Sequence, residues 1–225
     1  MNKTTCNNNA ESGNALFLIL IAVVLFAALS YAITQSNRGG GAPNRETSLI
    51  SSTAITQYSS AIRTGITRMT LRNVDVASLD FTAPTDATAY AAAITANNTP
   101  NMVFHADGGG VSFTPVDQNI VNTVSTTMSS TQNGNWYFKS TPVTGVATAA
   151  ADLVAFLDDL KKPLCESINL QINGNKTIPV LTGTPAAIVA GSVPVTGTGI
   201  DNKSFLCVGT STANHYVYYH VMVEQ

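Results

Sequence analysis

Nineteen consecutive residues, Ala15 to Ile33, carry neither a charge nor a proline, and they stand behind a short polar leader and ahead of nearly two hundred polar-rich residues. As a helix rising 1.5 Å per residue the run reaches about 28 Å, close to the hydrocarbon thickness of a bilayer. A helix is required in that medium because each backbone N–H and C=O must bond within its own segment. The competing reading is an export signal that is later removed. The run exceeds the usual apolar core of such signals, about 7 to 15 residues, and Ala32-Ile33-Thr34 is a poor small-x-small cleavage site. Ala27-Ala28-Leu29 and Ser30-Tyr31-Ala32 are the alternatives inside the run.

Charges flanking the run are few and nearly balanced. Lys3 and the amino terminus precede it, Glu11 abuts it, and Arg38 and Arg45 follow. Orientation is read instead from the downstream part, which pairs two cysteines with a charge-poor surface rich in Ser, Thr and Asn. That chemistry suits an oxidising space outside the cytoplasm. The amino terminus is therefore expected inside and the larger domain outside.

The leader and the run together, Glu11-Ser12-Gly13-Asn14-Ala15-Leu16-Phe17 and onward, resemble the amino terminus of type IV pilin-like proteins, including the pseudopilins of type II secretion. The likeness covers about the first thirty-five residues. It implies a prepilin peptidase as processing partner, cleavage after Gly13, and Asn14 as the new amino terminus. The family's usual Glu at the fifth mature position is Leu18 here, a departure shared with some minor, tip-located subunits. The resemblance further implies residence in the bacterial inner membrane as a single-pass protein, with the domain periplasmic or extracellular. Its partners would be membrane lipid and other pilin-like subunits. Leu16, Phe17, Leu20, Val24, Phe26 and Leu29 would be the helix-packing residues, with Ala22, Ala27, Ala28, Ser30 and Ala32 allowing close approach. Without the family, Ser12-Gly13-Asn14 reads as a turn ahead of the membrane helix, with Ser12 or Asn14 as its cap.

Four stretches follow: a polar leader at 1–13, a transmembrane helix at 14–34, a glycine-rich hinge at 35–45, and an extracytoplasmic α+β domain at 46–225. In the hinge, Gly39, Gly40 and Gly41 weaken helix propensity and Pro43 interrupts it, with Asn44 as the cap of a new helix. From Glu46 to about Arg72 apolar residues recur at Leu49, Ile50, Ala54, Tyr58, Ala61, Ile62, Ile66 and Met69, one face of an amphipathic helix. Arg63, Arg68 and Arg72 read as its solvated side. Beyond it, Met102–His105 and Val111–Phe113 flank Asp107-Gly108-Gly109-Gly110 as a hairpin, and Trp136-Tyr137-Phe138 reads as a strand after an Asn133-Gly134 turn. A second helix is expected over about Ala149 to Asn173, kinked or divided at Pro163. Phe205–Val208 and Tyr216–Val223 are expected strands, and Ile178–Gly199 is expected as edge strands or a long surface loop. The fold class that results is a transmembrane helix, a hinge and an amphipathic helix packed on a mainly antiparallel sheet, as in pilin-like proteins.

Cys165 and Cys207 are expected to pair, closing a loop of about forty residues worth roughly 4 kcal/mol on the chain-entropy model. Buried free thiols are the alternative, and Cys6 in the leader stays unpaired. No catalytic set assembles from the three histidines, His105, His215 and His220, which lack the spacing of a zinc-binding helix pair. No nucleophile elbow or phosphate-binding loop occurs. His105 and Asp107 could face one cation, but an Asp beside three glycines is explained by the turn itself. The reading is therefore no enzyme, no cofactor and no metal. A formal net charge of −2 with 11% charged residues excludes nucleic acid as a general partner. The leading expectation is a filament or secretion-apparatus subunit that works by packing. The second is a single-span anchor holding a periplasmic module that binds a protein or glycan.

Overall fold

The computed structural model describes residues 12–37, 42–122, 135–146 and 148–225. The chain divides into two units, Met1–Asn44 and Arg45–Gln225. The first contains α1, Ser12–Asn37, 26 residues without a charged side chain. Its side chains are described over residues 16–32, seventeen residues or about 26 Å of helix. Among the described residues no helix is long and apolar enough to cross a membrane. The expected span of 14–34 thus runs past the described side chains at both ends.

α2, Ala42–Leu71, starts earlier than expected, so Asn44 lies inside its first turn and not at the cap. Pro43 fits there because the first helical N–H groups have no intrahelical acceptor to lose. The expected hinge is partly helix, since α1 continues to Asn37; the glycines Gly39 to Gly41 lie outside the described residues, as do the leader up to Glu11 and the Asn133-Gly134 turn.

The second unit is built on a four-stranded antiparallel sheet in the order β1-β2-β4-β3, with β1 Trp136–Thr141, β2 Asp152–Leu157, β3 Phe205–Gly209 and β4 Tyr216–Val223. The α+β class with an antiparallel sheet is therefore as expected. The expected helix over Ala149–Asn173 is instead β2 followed by α4, Lys162–Asn173. Leu153, Phe156, Leu157 and Leu160 do fall at helical spacing, but Val154 and Ala155 between them are equally buried. A short unbroken apolar run is what a strand covered on both faces requires, and periodicity alone does not separate it from a buried helix. Pro163 sits in the first turn of α4 and begins that helix without kinking it.

Strand alternation sends two sets of side chains to opposite layers. Leu153, Ala155 and Leu157 of β2, Tyr218 and Met222 of β4 and Cys207 of β3 meet α2 and α4 in two adjoining clusters that include Ile55, Ile62, Ile66, Met69, Leu164 and Ile168. Val154, Phe156, Leu206, Val208, Val217, Tyr219 and Val221 form the other core with Val143, Leu181, Ile188 and Val195. The segment Ile178–Gly199 is therefore neither edge strands nor surface loop. It carries the short helix α5, Pro185–Val189, and single bridges from Val180 to Gly209 and from Val195 to Val143, and it roofs the second face.

α2 buries Ile62, Ile66 and Met69 as expected, but the rest of its face is rotated. Its buried stripe is Ser52, Ile55, Ser59, Ile62, Ile66 and Met69, whereas Leu49, Ile50, Ala54 and Ala61 are exposed. Two serines enter the core because each hydroxyl bonds a carbonyl one turn back, Ser52 to Leu49 at 2.8 Å and Ser59 to Thr56 at 3.0 Å. The stretch Met102–Phe113 is a chain of turns, not a hairpin; Met102 makes a single parallel bridge to Asp80. Its glycines are needed for contact. A Cβ on Gly108 would stand 2.0 Å from the Met102 carbonyl oxygen, and one on Gly65 of α2 would stand 2.3 Å from Val111. The arginines read as solvated hold this turn: Arg68 donates to the Gly109 carbonyl at 2.7 Å, and Arg72 to the carbonyls of Asp107 and Gly108. Arg63 pairs with Glu224 at 3.0 Å. A nine-residue helix not anticipated from the sequence, α3, Ala87–Thr95, is capped by Asp86, which accepts from the Ala89 N–H.

Candidate functional site

Three places carry the chemistry that separates this chain from a plain packed domain. The first is the surface of α1. Leu16, Phe17, Leu20, Val24, Phe26 and Leu29 are 58–76% exposed, and so to similar degree are Leu18, Ile19, Val23 and Leu25. Successive residues turn by about 100°, so this set surrounds the helix. The six expected packing residues do not form a separate stripe. Gly13 and Asn14 lie in the first turn of α1, where a peptidase would meet helical backbone.

The second is the junction of α2 with β4. Ser59 Oγ lies 3.0 Å from Tyr218 Oη and 2.7 Å from His220 Nδ1, and Tyr218 Oη lies 3.2 Å from the same nitrogen. All three residues are buried. Burial, and secondly the positive charge of Arg63, push the His220 imidazole down to about 4, so the ring is neutral at pH 7. A serine beside a histidine suggests a nucleophile, but neither has access to solvent or to a substrate, and the trio joins helix to strand. The phenol of Tyr218 is pushed well above its usual range, chiefly by burial. Neighbouring this layer, Cys165 of α4 and Cys207 of β3 are bridged as expected, Cα to Cα 5.3 Å, and Asn169 holds the same strand by accepting from the Cys207 N–H at 2.9 Å and donating to its carbonyl at 2.8 Å.

The third is the corner where β2 ends. Asp158 and Asp159 are wholly buried, and Asp159 turns the chain with φ of 55°. Asp159 Oδ1 accepts from Asn122 Nδ2 at 3.2 Å and lies 3.1 Å from His215 Nδ1, a close approach without the alignment of a hydrogen bond. Neither carboxylate oxygen of Asp158 has a hydrogen-bond partner, and Asp159 Oδ2 has none. Burial, then the charge of Asp159, raise the Asp158 carboxyl to about 7; the adjacent Asp159 backbone N–H offsets this in part, without the geometry of a hydrogen bond. Tyr137 of β1 is pushed up to about 12 by burial and by the charge of Asp158.

The sequence held a signal for this corner: two adjacent acids in a charge-poor chain, directly after an apolar run. The helix expected there would have put them on a solvated surface. His105 and Asp107, weighed as a cation pair, stand 3.6 Å apart at the glycine turn. Among the described residues no group of three or more His, Cys, Asp or Glu is arranged to hold a metal ion. Comparison with protein families, with curated proteins and with solved structures finds no match to this chain.

Proposed function

We propose that this protein is a membrane-anchored structural subunit of type IV pilin-like or minor pseudopilin-like character, acting by packing and not by catalysis. The observation that carries the reading is α1: an uncharged helix whose large apolar side chains are exposed on every side and need lipid or other helices to cover them. Sequence continues that apolar character to Ala15 and Ile33, long enough for a bilayer's hydrocarbon core. Support comes also from an amphipathic helix laid on an antiparallel sheet and from a bridged cysteine pair, which suits an extracytoplasmic domain.

In this reading the protein sits in the bacterial inner membrane by α1 with its amino terminus in the cytoplasm and the domain of 46–225 outside. Prepilin peptidase removes residues 1–13, and α1 then exchanges lipid for the helices of other pilin-like subunits. Leu18, standing where an acidic side chain is usual, makes no charge pair with a neighbour's amino terminus, which favours a minor over a bulk subunit. The deciding experiment is the intact mass of the protein extracted from membranes of its native host. A mass lacking Met1 to Gly13 supports the filament reading. An intact leader overturns it and leaves an anchored periplasmic binding module.

A further inference from the structure

The corner at the end of β2 has no place in a function based on α1, and it is built against the usual rule. A buried carboxylate is costly unless it is paired or bonded. Asp158 is buried with both oxygens unpartnered, beside a second buried carboxyl, Asp159. We propose that Asp158 is a proton-binding position: its carboxyl is neutral in the closed domain, and its ionisation loosens the corner formed by residues 157–161.

The titratable groups around the two acids fit this assignment. β1 contributes Tyr137, a neutral phenol; the next residue contributes Asp159, an acid; the turn before β4 contributes His215, whose Nδ1 is turned to Asp159. Lys161, the nearest lysine in sequence, donates its Nζ to the Asn119 carbonyl at 2.5 Å. Among the described residues no Lys or Arg forms an ion pair with either acid. The segment 123–134, which follows Asn122, carries no titratable side chain in its sequence. A proton is therefore the neutralising partner that the surroundings admit.

The corner also has something to release. Asn122 N–H donates to the Asp159 carbonyl at 2.8 Å, Lys161 N–H to Ile120, and Leu160 N–H to Tyr216, so residues 159–161 tie the 117–122 loop and the start of β4 to the end of β2. Charging Asp158 next to Asp159 strains these three bonds at once. The elevated carboxyl value of about 7 places the event near neutrality. The unfolded chain ionises first as pH rises from 3.8, so the contribution of this one carboxyl to stability is complete below that value, falls as pH climbs to about 7, and is level above it.

The test compares the full chain in detergent micelles with Asp158→Asn, following urea denaturation by the fluorescence of Trp136, the only tryptophan, whose partner across the β1–β2 ladder is Leu157. The ratio of the variant's folding equilibrium constant to that of the wild type is expected to rise by roughly five-hundredfold between pH 4 and pH 8. A ratio that stays constant, or that falls with pH, overturns the proposal. So does stabilisation of the wild type by excess calcium or magnesium that Asp158→Asn abolishes, since a cation would then be the neutralising partner. Should the variant not fold, infrared spectra of the wild type decide. The carbonyl band of a protonated carboxylic acid present at pH 6 and lost by pH 9 supports the assignment, and its absence at pH 6 overturns it.

Discussion

β2 begins on one buried aspartate and is followed directly by another, and its two ends treat the same side chain in opposite ways. At its start Asp152 accepts from the Val143 N–H at 3.3 Å and from the Gln225 N–H at 3.0 Å, so each oxygen has a donor. One residue past its end, Asp158 has a donor on neither oxygen. Composition and burial are alike at the two positions; the difference is whether backbone N–H groups converge there. The first carboxylate is glue for the strand, and the second is a cost that the rest of the fold carries. Midway between them, opposite Ala155, stands His220 of β4, a buried base with hydroxyl partners.

The largest expected effect comes from removing the satisfied end. Asp152→Ala strands the Val143 N–H in a buried site and is expected to cost roughly 3 kcal/mol in urea denaturation of the full chain. A loss under about 0.5 kcal/mol would mean that the two ends are energetically alike. Nearly as large is the acid response of His220, but it appears only on full acidification. Its folded value lies below that of the unfolded chain, so stability is complete above 6.5 and declines as pH falls to about 4, by roughly 3 kcal/mol in all. Asp158 contributes the opposite slope over nearly the same window. The wild type is therefore expected to have nearly level stability from pH 4 to 6.5, and His220→Leu to expose a decline with rising pH. A variant as level as the wild type would show that no such cancellation exists.

Ser59→Ala removes one member of the buried trio but leaves Tyr218 Oη within reach of His220 Nδ1, so about 1 kcal/mol is expected from the same denaturation curves. The smallest effect is a control on the surface. Glu166→Gln breaks the 3.9 Å pair with Lys162, whose ammonium is well exposed, and should change stability by no more than about 0.5 kcal/mol. A larger change there would indicate that Trp136 fluorescence reports something other than the corner and the sheet.

What could be read from the residues in advance follows the strength of local signals. β1, β3 and β4 carry aromatic and β-branched residues bounded by Gly, Asn and Ser, and all three were visible. β2 was not, because burial on both faces erases the alternation that marks a strand. Ile62, Ile66 and Met69 of the expected α2 face are buried, but the rest of the stripe is hidden in the sequence because Ser52 and Ser59 look polar, yet their hydroxyls are satisfied inside the helix and at the sheet. The cysteine pair was legible as a pair of residues; the convergence of donors on Asp152, and its failure at Asp158, depends on neighbours up to 73 residues away in the chain. α5 and its flanking bridges are hidden in the sequence for the same reason, since a Pro, Gly and Thr-rich stretch shows its packed side only against a finished sheet.

β4 lies inside the sheet, hydrogen-bonded to β2 on one side and β3 on the other, although it follows every other described element along the chain. Until residues 216–223 emerge, β1–β2 and β3 have no strand to join them and α2 lacks Tyr218, His220 and Met222 to rest on. The sheet is therefore an unfinished template until its last-made strand threads between two earlier ones, and the cysteines of α4 and β3 are held in register only once residues 216–223 have joined it.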